Sequence, residues 1–355
     1  MNNLHRRSFG LDFTRALAII LVVASHFGHT AFGTLGFWGV ELFFGLSGFL
    51  IGQILWRNFS KTDSWSFRRI FNFWSRRWWR TLPNYYLFFL FAIFIAYINN
   101  QGIPSFAKLT DYLWFGQSLT SFSWGFYVVA WSLCVEEWFY FLFPLVLFGF
   151  SKTKLSHRGK FSGALAFFFL GSIVMRYVLI NYGAGDSLRT ITLSRLDSIA
   201  SGVLLAFTLA VFDPKLIWKK VGFVVGICFA ISPFIYVMTS NKNFDEIIQN
   251  PILLLIVPFG FSLTLPIMDR LKEPLIGKKA ISVIVRNLSL WSYSIYLSHL
   301  TIMWEVYYIM NRYRSNIYVN FSSKLIGLVI VLFVSSLLFK YFEKPLTAKR
   351  PEEIK

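Results

Sequence analysis

Cysteine is nearly absent. Cys134 and Cys228 are the only two in 355 residues, both sit in apolar stretches, and no CxxC pair occurs. That excludes a disulfide framework and a thiolate metal site. Cys134 stands close to Glu136 and Glu137, but helix packing accounts for it more simply than a nucleophile. Charge is scarce too: 15% of residues, against about 25% in soluble domains. The chain has no Walker-type loop, no GxGxxG fingerprint and no HExxH zinc pair. It also lacks a GxSxG nucleophile elbow. The five histidines and the few carboxylates are dispersed without metal-ligand spacing, so no metal is expected. Internal repeats and low-complexity tracts are missing as well.

What fills the chain is apolar and aromatic sequence: 55% hydrophobic, 20% aromatic, with a mean hydropathy of +0.55. Runs of roughly 20 residues match the span of a bilayer core. They predict an all-α polytopic membrane protein of about ten transmembrane helices, forming one domain over residues 1–355. The approximate spans are 11–31, 37–55, 82–98, 130–150, 161–181, 197–212, 221–239, 251–268, 288–308 and 324–342. The stretch 104–129 reads as an interfacial helix or loop. With the N-terminus inside, alternate loops and tails carry 25 Lys and Arg on the cytoplasmic side against 7 on the other. That bias favours an N-in, C-in topology. The formal net charge of +18 then reflects cytoplasmic loops that also suit anionic membrane lipid, and nucleic acid is not expected as a partner. His5-Arg6-Arg7 before an apolar run resembles a signal peptide, but Arg15 interrupts that run and apolar sequence resumes after His26. The segment is read as an uncleaved first helix.

Ionisable groups at membrane depth are costly and usually functional. Arg15 and His26 both lie in the first span. Eleven residues are about three helical turns, which puts the two side chains on one face, roughly 16 Å apart along the axis. Asp12 is a possible i,i+3 partner of Arg15. Glu136 and Glu137 enter the fourth span from the outer side and diverge by about 100°, so one can face inward while the other faces elsewhere. Glu41, Arg195, Asp197, Tyr296 and His299 also lie toward the outer half. On the inner side, Arg76, Arg77 and Arg80, with Arg68 and Arg69 before them, interleave with Trp74, Trp78 and Trp79. That pattern suits a positive-inside anchor, and equally a phosphate site.

Several segments carry a resemblance in common. They are LDFTRALAIILVVASH (11–26, with Arg15 and His26 in an Arg-x10-His pattern), GVELFFGLSGFLIG (39–52), RRWWRTLP (76–83), WSLCVEEWFYFLFP (131–144), RLDSIASGVLLA (195–206), SYSIYLSH (292–299) and YFEKP (341–345). In this order, over almost the whole chain, they resemble membrane acyltransferase family 3, the integral-membrane O-acyltransferases of bacterial surface glycans. Gly45 and Ser298 depart from the family's usual residues. The esterase-like domain fused to some relatives is not expected here. The resemblance implies transfer of an acyl group, most often acetyl, from cytoplasmic acyl-CoA to a hydroxyl of a cell-surface or lipid-linked glycan, in the bacterial cytoplasmic membrane. Arg15, Arg76, Arg77 and Arg80 would hold the acetyl-CoA donor. His26 would act as general base, or carry the acyl group transiently, with Glu136 or Glu137 orienting it. A structural His26 with Glu136 as base is the other arrangement. Glu41, Arg195, Asp197, Tyr296 and His299 would meet the acceptor. A transporter or flippase is the competing class, since buried charges and broken helices suit it too.

Overall fold

A computed structural model describes residues 8–26, 33–62, 65–100, 102–121, 126–240, 243–273, 279–312 and 316–354. These residues form α1 (Phe9–Ala24), α2 (Leu35–Ser60), α3 (Phe67–Ile98), α4 (Phe106–Leu113), α5 (Ala130–Ser151) and α6 (His157–Asn181). There follow α7 (Leu196–Phe212), α8 (Leu216–Thr239), α9 (Phe244–Ile247), α10 (Leu253–Met268), α11 (Lys279–Asn311) and α12 (Ile317–Leu338). A π-helical turn at Phe339–Glu343 leads into α13 (Lys344–Ala348). No strand occurs among the described residues.

The protein is an all-α polytopic membrane protein. Among the described residues, seven helices are long and apolar enough to cross a membrane. The three other expected spans correspond to α1, α10 and α11. Helix α1 is shorter than the expected span 11–31: it ends at Ala24, and residues 27–31 lie outside the described residues. Ser25 folds its hydroxyl back onto the Val22 carbonyl (2.7 Å), and the His26 amide closes a tight turn onto Val23 (3.1 Å). His26 therefore sits on the turn after α1 rather than inside it. At the other end, Ser8 caps the helix by accepting from the Leu11 amide, with Asp12 in the first turn. In the 104–129 stretch, α4 is the expected short helix; residues 122–125 lie outside the described residues.

Lipid tails are as apolar as leucine, so helix association in a bilayer relies on close packing and polar contacts rather than on apolar burial. Both are present. Helices α2 and α7 meet along a seam of glycines: a Cβ on Gly48 would stand 2.0 Å from the Ile199 carbonyl oxygen, and one on Gly202 would stand 2.2 Å from that of Gly45. Gly39 brings α2 close to α1, where a Cβ would stand 2.7 Å from the Ala18 carbonyl oxygen and from the Val22 side chain. Helix α1 also packs on α11, which sets the geometry of the site below. Helix α8 buries little beyond Gly226, Ala230 and Pro233; many of its other apolar side chains, such as Val224, Ile231 and Phe234, are exposed, as a lipid-facing helix requires.

Candidate functional site

Helix α3 carries Arg69, Asn72, Arg76 and Arg80 at three- and four-residue intervals, and thus along one stripe. With Arg15 of α1 and Arg77, this stripe walls a cavity of about 650 Å³ that also touches Asp12, Arg350 and Glu353. A second cavity of about 100 Å³ lies next to it, lined mainly by Phe43, Phe44, Ser132, Glu136, Tyr140, Tyr293 and Tyr296. Arg15, Leu50, Arg77 and Arg80 border both. A basic chamber thus shares an arginine wall, the waist, with a small aromatic pocket built from α1, α2, α3, α5 and α11.

The waist is cross-linked. The Arg77 guanidinium lies 5.0 Å over the Tyr140 ring, and the Tyr140 hydroxyl donates to Glu136 Oε2 at 3.4 Å. The Ser47 hydroxyl donates to Glu136 Oε1 at 2.8 Å. Arg15 is 4.0 Å from Asp12, its expected i,i+3 neighbour, and donates to the Ser289 hydroxyl at 3.5 Å. Ser289 in turn donates to Asp12 at 2.7 Å. Arg76 borders the chamber and donates one N–H to the Pro351 carbonyl at 2.6 Å.

Beyond the pocket, Tyr296 leads to two histidines. Its hydroxyl makes a very short contact with Ser132 and donates to the Val129 carbonyl at 3.3 Å. The Tyr296 ring centroid is 5.8 Å from that of His299, and His299 is 5.2 Å from His26. His299 Nδ1 faces the Tyr296 carbonyl at 2.8 Å. A carbonyl only accepts, so the proton belongs on Nδ1 and Nε2 carries the lone pair. That Nε2 is buried and has no hydrogen-bond partner among the described residues. His26 itself is exposed.

The structure places the remaining sequence-predicted site residues as follows. The ring beside His26 is His299, whereas Glu136 is held by Ser47 and Tyr140 at the waist. Glu137 points away from its neighbour, as the 100° offset requires, into a separate groove of about 380 Å³ walled by Trp78, Trp114, Trp138 and Phe141. Neither glutamate is positioned by the structure as the orienting partner of His26. Glu41, Arg195 and Asp197 likewise line none of these cavities. All three are fully buried, and they are occupied with protein groups. Arg195 donates to both oxygens of Glu41 and to the Leu254 carbonyl (2.9 Å), while Arg176 donates to both oxygens of Asp197 at 2.7 Å. Charges buried this far from water must be paired, and here the pairing ties α2, α6, α7 and α10 together. Tyr296 lines the second cavity, and His299 lies beside His26.

Sequence reasoning missed Ser47, Ser132, Tyr140, Glu343 and Arg350. Tyr140 had a signal, since it stands four residues after Glu136 on the same helix face. Glu343 comes to the core through the π-helical turn, accepting from Asn84 (2.8 Å) and Ser294 (2.9 Å); no sequence pattern announces that turn.

A profile of acyltransferase family 3, described as an acyltransferase domain, matches residues 8–341. The chain is 26% identical to the O-acetyltransferase OatA of Staphylococcus aureus over 369 aligned positions, covering 96% of this chain and 57% of that protein. It is 32% identical to the peptidoglycan O-acetyltransferase OatA of Listeria monocytogenes over 156 positions (40% and 24% of the two chains). It is 30% identical to the putative peptidoglycan O-acetyltransferase YrhL of Bacillus subtilis over 196 positions (52% and 30%). The chain thus spans little more than half the length of the curated relatives it matches. No solved structure matches it. The profile match, running from the first helix to the π-helical turn, makes this chain a member of acyltransferase family 3.

Proposed function

We propose that this protein is an O-acetyltransferase of the bacterial cytoplasmic membrane, moving an acetyl group from cytoplasmic acetyl-CoA to a hydroxyl of a cell-envelope glycan. The observation that carries this is the wall of Arg15, Arg77 and Arg80 that the two cavities share. A chamber rich in arginine suits the phosphates of coenzyme A; Arg15, Arg77, Arg80 and the remaining N–H groups of Arg76 would hold them. The waist borders an aromatic pocket of a size suited to a thioester end, and Tyr296 links that pocket to the histidine pair.

In this reading His26 is the general base. It removes the proton from the glycan hydroxyl as the oxygen attacks the thioester carbonyl; the C–S bond then breaks and the thiolate leaves. The lone pair on His299 Nε2 and the Tyr296 ring flank the approaching hydroxyl. Glu136, held by Ser47 and Tyr140, balances the arginines of the waist. Two of the relatives are named for peptidoglycan, so a glycan of that class is the first acceptor to try. The N-in, C-in topology fits two contacts: Arg57 pairs with Glu353 (2.7 Å), and Ser8 donates to the Asp269 carbonyl (3.0 Å). Each joins segments that the ten-span alternation puts on the same side.

The test is His26→Ala in the full chain, with membrane-inserted protein measured alongside. Loss of a positioned base costs roughly 10²–10⁴ in rate, so transfer of radiolabel from acetyl-CoA to glycan should become undetectable. Near-normal labelling at normal protein level removes His26 from the mechanism.

A further inference from the structure

The segment after α13 is strapped onto the stripe of α3. Arg76 donates to the Pro351 carbonyl (2.6 Å), Asn72 donates to that of Glu352 (2.8 Å) and accepts from the Ile354 amide (3.3 Å), and Arg69 donates to the Ile354 carbonyl (3.3 Å). Arg57 of α2 holds the Glu353 carboxylate at 2.7 Å. The strap brings one more guanidinium to the chamber. Arg350 lies on the wall of the basic chamber and on that of a neighbouring cavity shared with Arg15, Arg76 and Arg80.

The chamber wall carries six arginines, Arg15, Arg69, Arg76, Arg77, Arg80 and Arg350, against three carboxylates, Asp12, Asp269 and Glu353. Glu353 is committed to Arg57, and the Glu352 side chain is exposed. Burial, then the charges of Arg76 and Arg80, outweigh the nearby Glu353 carboxylate and hold the Arg350 guanidinium below its ordinary pKa. Like charges brought together in this way repel, and an anion placed among them relieves that repulsion. Arg69, Asn72 and Arg76 meet the strap through its backbone, so the strap is held whatever the Arg350 side chain does.

We infer that Arg350 is a phosphate-binding residue of the donor site, carried into the chamber by the strap 351–354 and acting with Arg76 and Arg80. This rests on the donor reading above and extends it: part of the donor site comes from the far end of the described chain. The segment predicted to contribute only cytoplasmic charge thereby acquires a ligand and a role.

The test is equilibrium binding of tritiated coenzyme A to the purified full chain in detergent, with unlabelled coenzyme A and phosphate-free pantetheine as competitors. Wild type should bind coenzyme A more tightly than pantetheine. Arg350→Ala should weaken coenzyme A about tenfold and leave pantetheine unchanged, with Arg350→Lys between the two. Unchanged coenzyme A affinity in Arg350→Ala overturns the assignment, and so does an equal loss for both compounds, which marks a structural role. If wild type itself does not distinguish coenzyme A from pantetheine, the donor reading fails, and the Arg350 assignment fails with it.

Discussion

Replacing Glu41 by alanine removes the carboxylate that meets Arg195 in the interior of the protein. Both side chains are completely shielded. After the substitution, Arg195 keeps the Leu254 carbonyl and loses both bonds to Glu41. Removing one partner of a buried pair leaves an uncompensated charge and costs about 3–5 kcal/mol. At roughly 2 °C per kcal/mol for a chain of this size, the melting temperature should drop by about 6–10 °C. Thermal challenge of detergent-purified protein followed by size-exclusion chromatography reads this directly. Glu41→Leu combined with Arg195→Leu should recover most of the loss, because it removes both charges together. This pattern separates a structural pair from an acceptor-binding one. Unchanged melting of Glu41→Ala together with abolished transfer would refute the reasoning and return Glu41 to the substrate.

Two further outcomes follow from other features. Gly202→Val should abolish accumulation of folded protein, since even a Cβ would sit 2.2 Å from the Gly45 carbonyl oxygen and no flexible side chain can yield there; membrane yield on a fluorescence gel checks it. The Arg57–Glu353 contact should give the strap a pH dependence. Burial alone would raise the Glu353 pKa, but the hydrogen bond and charge of Arg57, together with Asn58 and Arg76, outweigh it and hold the pKa below the ordinary carboxylate value. The stabilisation is thus present above the unfolded pKa of about 4.3 and is lost as pH falls through the lower folded value. Proteolysis of residues 349–354 should be slow at pH 7 and faster near pH 3, and Glu353→Gln should flatten the difference.

Long apolar runs made the helices legible, because lipid imposes a length and a composition on each span. The inner arginines were legible for the same reason: at that position a charge cluster stands out. What could not be read was pairing across helices. Arg195 and Glu41 are 154 positions apart, and sequence offers no means of telling a charge that meets a substrate from one that meets another helix. The ring beside His26 was illegible for the same reason. Glu136 matches the expected depth, yet α1 packs on α11, so His299 arrives first. The end of α1 at Ala24 was hidden because the apolar run continues past it, while Ser25 and the His26 amide close the last turn locally.

The bare seam between α2 and α7 also decides which parts of the molecule can move. Two helices whose backbones touch with no side chains between them cannot slide or roll without collision. Ser47 of α2, which grips Glu136, is thereby anchored to a stationary frame. Widening the waist must come from the opposite wall, from α3 with its arginine stripe or from α11 with Tyr293 and Tyr296. A spectroscopic probe pair spanning α2 and α7 would report a constant distance through a catalytic cycle, and one spanning α2 and α3 would not.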